Sequence, residues 1–204
     1  MSCFDLRRVA MAALVLVSST GLSACMNLKS YVDPALVPVA KSQLPTVATP
    51  KPVSVLFEFR TKGNANPQAT SALQGRVIAA TAESDMFSKV SSTAGIPDAG
   101  ILKIIIDNVG DQGNAVAKGI GTGLTLGLAG SLVRDGYACT ASYAYKEKTY
   151  ETTLNHAILT TVGNHRAPPG LTAVTPMDAI TQVVDQLVWH ALKDLAEKQA
   201  FSAE

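Results

Sequence analysis

The sequence lacks an excess of either charge. Over 204 residues, 17 basic side chains balance 16 acidic ones, so the formal net charge is +1. Removal of residues 1–24, which carry Arg7, Arg8 and Asp5, leaves a formally neutral chain. Nucleic-acid-binding domains and polybasic membrane patches both carry a clear surplus of Lys and Arg. The balance therefore argues against a nucleic-acid partner and against electrostatic attachment to a membrane.

Cysteines are also scarce, and they form no pair in the folded part of the chain. The three are Cys3, Cys25 and Cys139, and the first two belong to the N-terminal region. Cys139 is then alone in the folded part, so an internal disulfide is excluded and the fold depends on its hydrophobic core. We interpret Cys139 as a small buried hydrophobic residue, in preference to a nucleophile activated by His156.

Motifs for catalysis and metal binding are missing as well. His156, His165 and His190 do not lie at metal-ligand spacing with another His, Cys or carboxylate, and neither H-E-x-x-H nor paired C-x-x-C occurs. A G-x-G-x-G run over 119–123 is followed by Leu124, which breaks the dinucleotide-binding fingerprint. The sequence thus predicts no enzymatic activity, no cofactor and no metal site, with His156 as a structural side chain on a strand.

The first 24 residues have the three parts of an export signal. Arg7 and Arg8 supply a positive start, and residues 9–17 form an uncharged apolar run. This run is shorter than the roughly 20 apolar residues that a membrane-spanning helix needs. Residues 18–21, Ser-Ser-Thr-Gly, then end the run before a cleavage site. We therefore expect residues 1–24 to be removed as a signal peptide.

The tetrapeptide Leu22-Ser23-Ala24-Cys25 closes this leader and resembles the lipobox of bacterial lipoproteins. The resemblance implies that a signal peptidase recognises these four residues and cuts before Cys25, whose thiol carries a diacylglyceryl group and whose amine is often acylated too. Two or three acyl chains anchor a protein stably, whereas one holds it marginally. Met26 stands where, in enteric-type bacteria, an Asp would signal inner-membrane retention, so the resemblance implies an outer-membrane anchor. We expect the domain to face the periplasm, and the cell exterior is the alternative. The alternative is an ordinary secretory signal cut after Ala24.

Residues 25–52 are rich in proline. Prolines at this density block regular helices and strands and favour extended chain, with a reach on the order of 80 Å at roughly 3.1 Å per residue. We therefore predict a semi-rigid tether from Cys25 to a single domain over residues 53–201. The alternative is that Tyr31 and Leu36-Val37 dock on that domain. The prolines are Pro34, Pro38, Pro45, Pro50 and Pro52.

Hydrophobic periodicity predicts the elements of the domain. Alternating apolar residues indicate strands, and the pairs Asn66-Pro67 and Thr175-Pro176 supply the N-cap and first position of helices that end near residues 84 and 199. The predicted strands cover residues 53–60, 86–91, 101–109, 136–145 and 149–162.

The resulting order is β-α-β-β, a glycine-rich insert, and then β-β-α. It predicts an α+β fold in which two helices pack on one face of a mainly antiparallel sheet. The order resembles that of small domains in periplasm-facing accessory lipoproteins of envelope transport and assembly. The lipobox, the proline-rich tether, the balanced charge and the missing catalytic motifs together lead us to expect a non-enzymatic, membrane-anchored adaptor that binds another envelope protein.

The glycine-rich insert, residues 115–133, carries a small residue at every fourth position. On a helix these residues would form a smooth groove that lets another backbone approach closely, and the pattern resembles the glycine zippers of bacterial envelope proteins. Three alternatives remain open: a helix or helical hairpin packed on its own domain, a segment that inserts into a membrane or oligomerises, and a flexible loop. The second would make the protein a self-assembling membrane component. The small residues are Ala115, Gly119, Gly123, Gly127 and Ser131.

Tyrosines are concentrated on the predicted hairpin. Tyrosine is enriched at protein interfaces, so an exposed tyrosine face is a candidate interaction surface. The alternative is that these side chains pack beneath the helices. The four residues are Tyr137, Tyr143, Tyr145 and Tyr150.

Overall fold

A computed structural model describes residues 28–93, 95–111 and 131–202. They form a sheet in the order β1-β7-β6-β5-β2-β3, with β4 also paired to β2. The β2–β4 and β2–β5 pairs are parallel, and the other described pairs are antiparallel. The strands are β1 Leu28–Val32, β2 Pro52–Thr61, β3 Asn64–Ala65, β4 Lys89–Ser91, β5 Gly100–Asp111, β6 Ser131–Tyr145 and β7 Lys148–Val162, and the helices are α1 Pro67–Glu83 and α2 Pro176–Glu197.

Both helices begin where the capping pairs predict. The Asn66 side chain accepts a hydrogen bond from the Ala69 backbone N–H at 3.0 Å, and the Thr175 hydroxyl accepts one from the Asp178 N–H at 3.1 Å. These bonds satisfy backbone donors that have no partner within the first turn of a helix. The predicted start and end of α1 are confirmed.

The core lies between one face of the sheet and the two helices. Alternate residues of β2, β5 and β6 are buried on this face, as their period of two predicts. The helices contact each other through the Trp189 indole N–H, which donates to the Ala80 carbonyl at 3.0 Å, and through an ion pair between Arg76 and Asp185. The predicted α+β architecture, with a mostly antiparallel sheet and two helices, is confirmed.

The N-terminal segment is not a free tether. Over residues 28–52 that prediction is wrong, because β1 pairs with β7 from Leu28↔Val162 to Val32↔Ile158 and Tyr31 is only 1% exposed. Apolar side chains between the prolines pack against the core, Leu36 among them. The docking alternative is correct for Tyr31 and Leu36, whereas Val37 is 70% exposed. The prolines begin at Pro34, after β1, so Leu28–Val32 keeps the backbone N–H groups that pair with the sheet edge.

The first residues of β6 also correct the interpretation of the glycine-rich insert. Ser131 pairs with Val162 and Val133 with Thr160, so residues 131–133 continue the hairpin ladder. A helical groove that includes Ser131 is therefore wrong, because strand pairing and helical geometry exclude each other. The remaining small residues, Ala115, Gly119, Gly123 and Gly127, lie outside the described residues, as does the lipobox, Leu22, Ser23, Ala24 and Cys25.

The predicted edge strand over 86–91 is shorter in the structure. Only Lys89–Ser91 pairs, in parallel with the start of β2. Before it, Asp85 has a positive φ of 57°, and the chain turns there so that Met86 enters the core. Among the helices that the structure describes, none is long and apolar enough to cross a membrane.

Candidate protein-interaction site

The candidate site lies at the end of the sheet where β6 turns into β7. Three other segments reach this end: residues 45–49, the loop before β5, and the residues that follow α2. The hairpin and the residues around the end of α2 line two neighbouring cavities of about 560 and 280 Å³, and residues 45–49 also line the larger one. Both cavities are lined by Lys148, Tyr150 and Ser202. We call this region the hairpin-end site, defined by Tyr145, Lys148, Tyr150, Lys198 and Ser202.

Tyr145 is held in place by a polar network. Its hydroxyl donates to Asp98 Oδ1 at 2.6 Å, and Lys51 Nζ donates to Asp98 Oδ2 at 3.2 Å. The hydrogen bond from Tyr145 and the Lys51 ammonium lower the pKa of Asp98, and the same hydrogen bond raises the pKa of Tyr145. Lys146 Nζ lies 5.4 Å from the centre of the Tyr145 ring, within cation–π range. The ring is thus oriented before any partner arrives.

The C-terminal end of α2 shapes the other side of the site. Gln199 has a positive φ of 60°, and the Ala200 N–H donates to the Leu195 carbonyl at 3.0 Å, which is the hydrogen-bond pattern of a left-handed helix end. Lys198 Nζ donates to the Glu151 carbonyl at 2.6 Å, which ties this end to β7. The turn sends Phe201 back into the core.

A buried aromatic cluster forms the floor of the site. The Phe201 ring lies 4.9 Å from the Tyr143 ring and 5.0 Å from the Phe87 ring, both in edge-to-face geometry. Such pairs add about 0.5–1.5 kcal/mol beyond their buried area. Gly100 makes room for the Tyr143 ring, because a Cβ atom at Gly100 would come closer than 3.0 Å to it. The aromatic rings beneath the cavities are therefore closely packed.

The four tyrosines of the predicted interaction surface lie in two different environments. Tyr137 and Tyr143 are 6% and 2% exposed, so they belong to the core and the prediction of a surface role for them is wrong. Strand alternation places both on the face that the helices cover, where burial raises the pKa of each to about 12. Tyr145 and Tyr150 have the same orientation but lie at the hairpin end, so they stay half-buried and meet at the site.

Residues that carry acid–base or nucleophilic chemistry do not converge. His156 is buried, with Nε2 2.6 Å from Gln186 Oε1, and its pKa is lowered by burial. Burial also raises the pKa of the Cys139 thiol to about 12, which is opposite to what a nucleophile needs. Both side chains are buried in the core as interpreted, although His156 Nδ1 has no hydrogen-bond partner among the described residues. Within the described residues, no group of three His, Cys, Asp or Glu side chains is arranged for a metal ion.

Three polar residues in or beside the site are missed by sequence patterns: Lys51, Asp98 and Lys198. Lys51 and Asp98 are 47 residues apart, and Lys198 bonds to a carbonyl 47 residues away. Pro97-Asp98 signals a turn, yet it carries no information about the partner of that turn. Periodicity identifies which residues share a face, and these contacts join different ends of different elements.

Comparisons with known proteins give distant structural similarities. No family model and no curated protein matches the sequence. A PelC dodecamer from Paraburkholderia phytofirmans is 11% identical and covers 82% of this chain and 96% of that chain, with a TM-score of 0.36. A protein from Xanthomonas campestris, of the family DUF330, is 13% identical and covers 84% of this chain and 93% of that chain, with a TM-score of 0.38. At these values the similarity assigns neither a family nor a function to this chain.

Proposed function

We propose that this protein is a non-enzymatic, outer-membrane lipoprotein that acts as an accessory subunit by binding another protein of a bacterial cell envelope. The lipobox at Leu22–Cys25 supports the membrane location. The observation that carries the binding role is the hairpin-end site, where two cavities adjoin beside Tyr145, Lys148 and Tyr150 on a rigid aromatic floor. Pre-organised tyrosines give a partner a large contact area at little conformational cost.

The chemistry of the site fits a peptide segment that carries a carboxylate. Six of the twelve residues that line the larger cavity are Thr, Lys, Gln or Ser, and two are aromatic, which suits backbone and polar groups better than a fully apolar ligand. Lys148 lines both cavities and is exposed. An acidic side chain of the partner would contact the Lys148 ammonium, and the backbone of the partner's peptide segment would lie along Tyr150.

The proposal is tested by photo-crosslinking in living cells. A benzophenone amino acid placed at Tyr150 of the full-length protein should give an adduct of one defined mass. The control probe at Leu56 is on the sheet face away from the helices and is 40% exposed, so it should give no such adduct. Equal products from both positions would contradict a binding role for the hairpin-end site.

Charge reversal sharpens the same experiment. Lys148→Glu should strongly reduce the adduct formed by the probe at position 150, because the partner's carboxylate would then face a like charge. Lys103→Glu is the matched control, since Lys103 is exposed on the opposite face of the sheet. An adduct that is insensitive to Lys148→Glu would overturn the acidic-peptide proposal. An adduct with twice the mass of the chain would show that the partner is a second copy.

The self-assembly alternative rests on the small residues of the glycine-rich insert. One member of that pattern, Ser131, is a strand residue paired with Val162, so the described residues weaken it. Light scattering on the unlipidated Cys25→Ala protein distinguishes the two, because the accessory role predicts a monomer and self-assembly predicts a defined oligomer.

A further inference from the structure

We propose that one end of the sheet lies directly on the lipid surface and that the hairpin-end site points away from it. The membrane-facing end comprises Leu28 at the start of β1, Ser131 and Leu132 at the start of β6, and Val162 at the end of β7. This inference rests on the lipid anchor at Cys25 in the proposed function. It adds the surface that meets the membrane and the direction that the binding site faces.

The length of chain between the anchor and the fold carries the argument. β1 begins at Leu28, so only Met26 and Asn27 separate Cys25 from a residue that pairs within the sheet. An extended chain spans at most about 3.6 Å per residue, which limits the Cα distance from Cys25 to Leu28 to roughly 11 Å. The acyl chains hold Cys25 at the bilayer surface, and Leu28 must therefore lie close to the lipid headgroups.

The strand that follows the anchor is held firmly, so this short link cannot lengthen by peeling β1 away. Ser30 and Tyr31 are buried, and the outer edge of β1 is also occupied, because the Val174 N–H donates to the Ser30 carbonyl at 2.8 Å. Just after β1, both Arg134 Nε and Nη2 donate to Asp33 Oδ2, at 3.1 and 2.9 Å. β1 is thus fixed to the rest of the sheet.

The residues at this end suit a lipid interface. Val162 pairs with both Leu28 and Ser131, which places the starts of β1 and β6 on either side of it. Leu28 and Leu132 are 48% and 37% exposed, and they are two of the few large apolar side chains in the described part of the chain that reach the surface. Headgroup contact would bury them.

The topology sends the hairpin-end site in the opposite direction. β6 runs for 15 residues from Ser131 at the membrane-facing end to Tyr145 at the site. At about 3.3 Å per residue this separates the two ends by on the order of 45 Å. The site would therefore project into the periplasm, where a partner's peptide segment can reach it without touching lipid.

Depth-dependent quenching tests the orientation on the full-length lipidated protein. Single cysteines at Leu132 and, as the distant control, at Glu147 carry a fluorophore, in vesicles of phosphatidylethanolamine and phosphatidylglycerol with nitroxide-labelled headgroups. The native thiols do not interfere, because acylation blocks Cys25 and burial keeps Cys139 unreactive. We expect strong loss of fluorescence at position 132 and none at 147. A label at Lys29, also exposed, provides a second reporter near the anchor.

A linker variant makes the result specific to the short connection. Insertion of about 12 Gly and Ser residues between Asn27 and Leu28, with an r.m.s. length of roughly 20 Å, should retain acylation and remove the quenching at 132. Lipidated protein whose labels at 132 and 147 are quenched equally would overturn the orientation and leave the lipoprotein proposal intact. Protein without acyl chains, established by mass measurement of the same sample, would instead overturn the lipoprotein proposal itself.

Discussion

Gly100→Ala should destabilise the protein because it removes the space that Tyr143 occupies. An added Cβ would come within 3.0 Å of the hydroxyl oxygen and two ring carbons of Tyr143, a separation that the rigid side chain cannot relieve by bending. The ring cannot easily move aside either, since it is only 2% exposed and lies 4.9 Å from the Phe201 ring. Overpacking of this kind costs about 1–3 kcal/mol, and we expect a value in the upper half of that range.

The measurement is urea unfolding of the unlipidated Cys25→Ala protein with and without the change. The midpoint should fall while the slope stays constant, because the substitution alters stability and not the surface exposed on unfolding. Gly75→Ala is the matched control. A Cβ at Gly75 meets no atom within 4 Å, and glycine in an exposed helix interior is less stable than alanine by about 0.5–1 kcal/mol. The same substitution should therefore stabilise at 75 and destabilise at 100.

A double-mutant cycle identifies the cause of the loss. In a Tyr143→Ala background the ring is gone, and Gly100→Ala should then cost little, giving a coupling free energy of about the size of the single-mutant effect. An unchanged penalty in that background would show that the glycine is needed for a reason other than the ring. A Gly100→Ala protein as stable as the parent would refute the packing described for the floor of the hairpin-end site.

The other predictions concern the N-terminal segment and two buried side chains. Tyr31→Ala should lower the free energy of unfolding by about 3–5 kcal/mol, as for other buried aromatics, whereas Val37→Ala should change it little. If both substitutions had equally small effects in urea unfolding, residues 28–52 would be a free tether after all. Burial lowers the pKa of His156 below 6.5, so the unfolded chain binds a proton first and stability should fall as the pH drops through about 6.5. His156→Phe should make the free energy of unfolding less dependent on pH in this range. An unaltered dependence would show that other groups cause it. The Cys139 thiol, with a pKa of about 12, should resist alkylation at pH 8 until the protein is unfolded; rapid labelling of the native protein would contradict its burial.

The sequence predicts elements well where one pattern dominates. The alternation of Leu102, Ile104 and Ile106 and the capping pair Asn66-Pro67 each indicate a structure that the fold contains, because burial on one face and satisfaction of a helix end are local demands. Residues 28–52 show where local sequence patterns are insufficient. Their prolines indicate extended chain, but they do not show whether that chain is free or paired, since the pairing depends on β7 more than 120 residues away.

The candidate site is also predictable only as far as local patterns determine it. The tyrosine pattern finds the hairpin and its helix-facing side, but it does not separate Tyr143 in the core from Tyr145 at the rim. That difference depends on where α2 ends and how Gln199 turns the chain, which is tertiary geometry. Sequence patterns also do not predict the contact between Tyr145 and Asp98, because it joins residues 47 positions apart.

Both proposals depend on attachment to the membrane through Cys25, which the mass of the N-terminal peptide reveals. The full-length protein is expressed in a bacterial host, extracted from outer membranes and digested. We expect the peptide to begin at Cys25, with a diacylglyceryl group on the thiol and a further acyl chain on the amine, and we expect a Cys25→Ala variant to leave the membrane fraction. A peptide that begins elsewhere, or an unmodified Cys25 on protein that remains in the membrane, would contradict it.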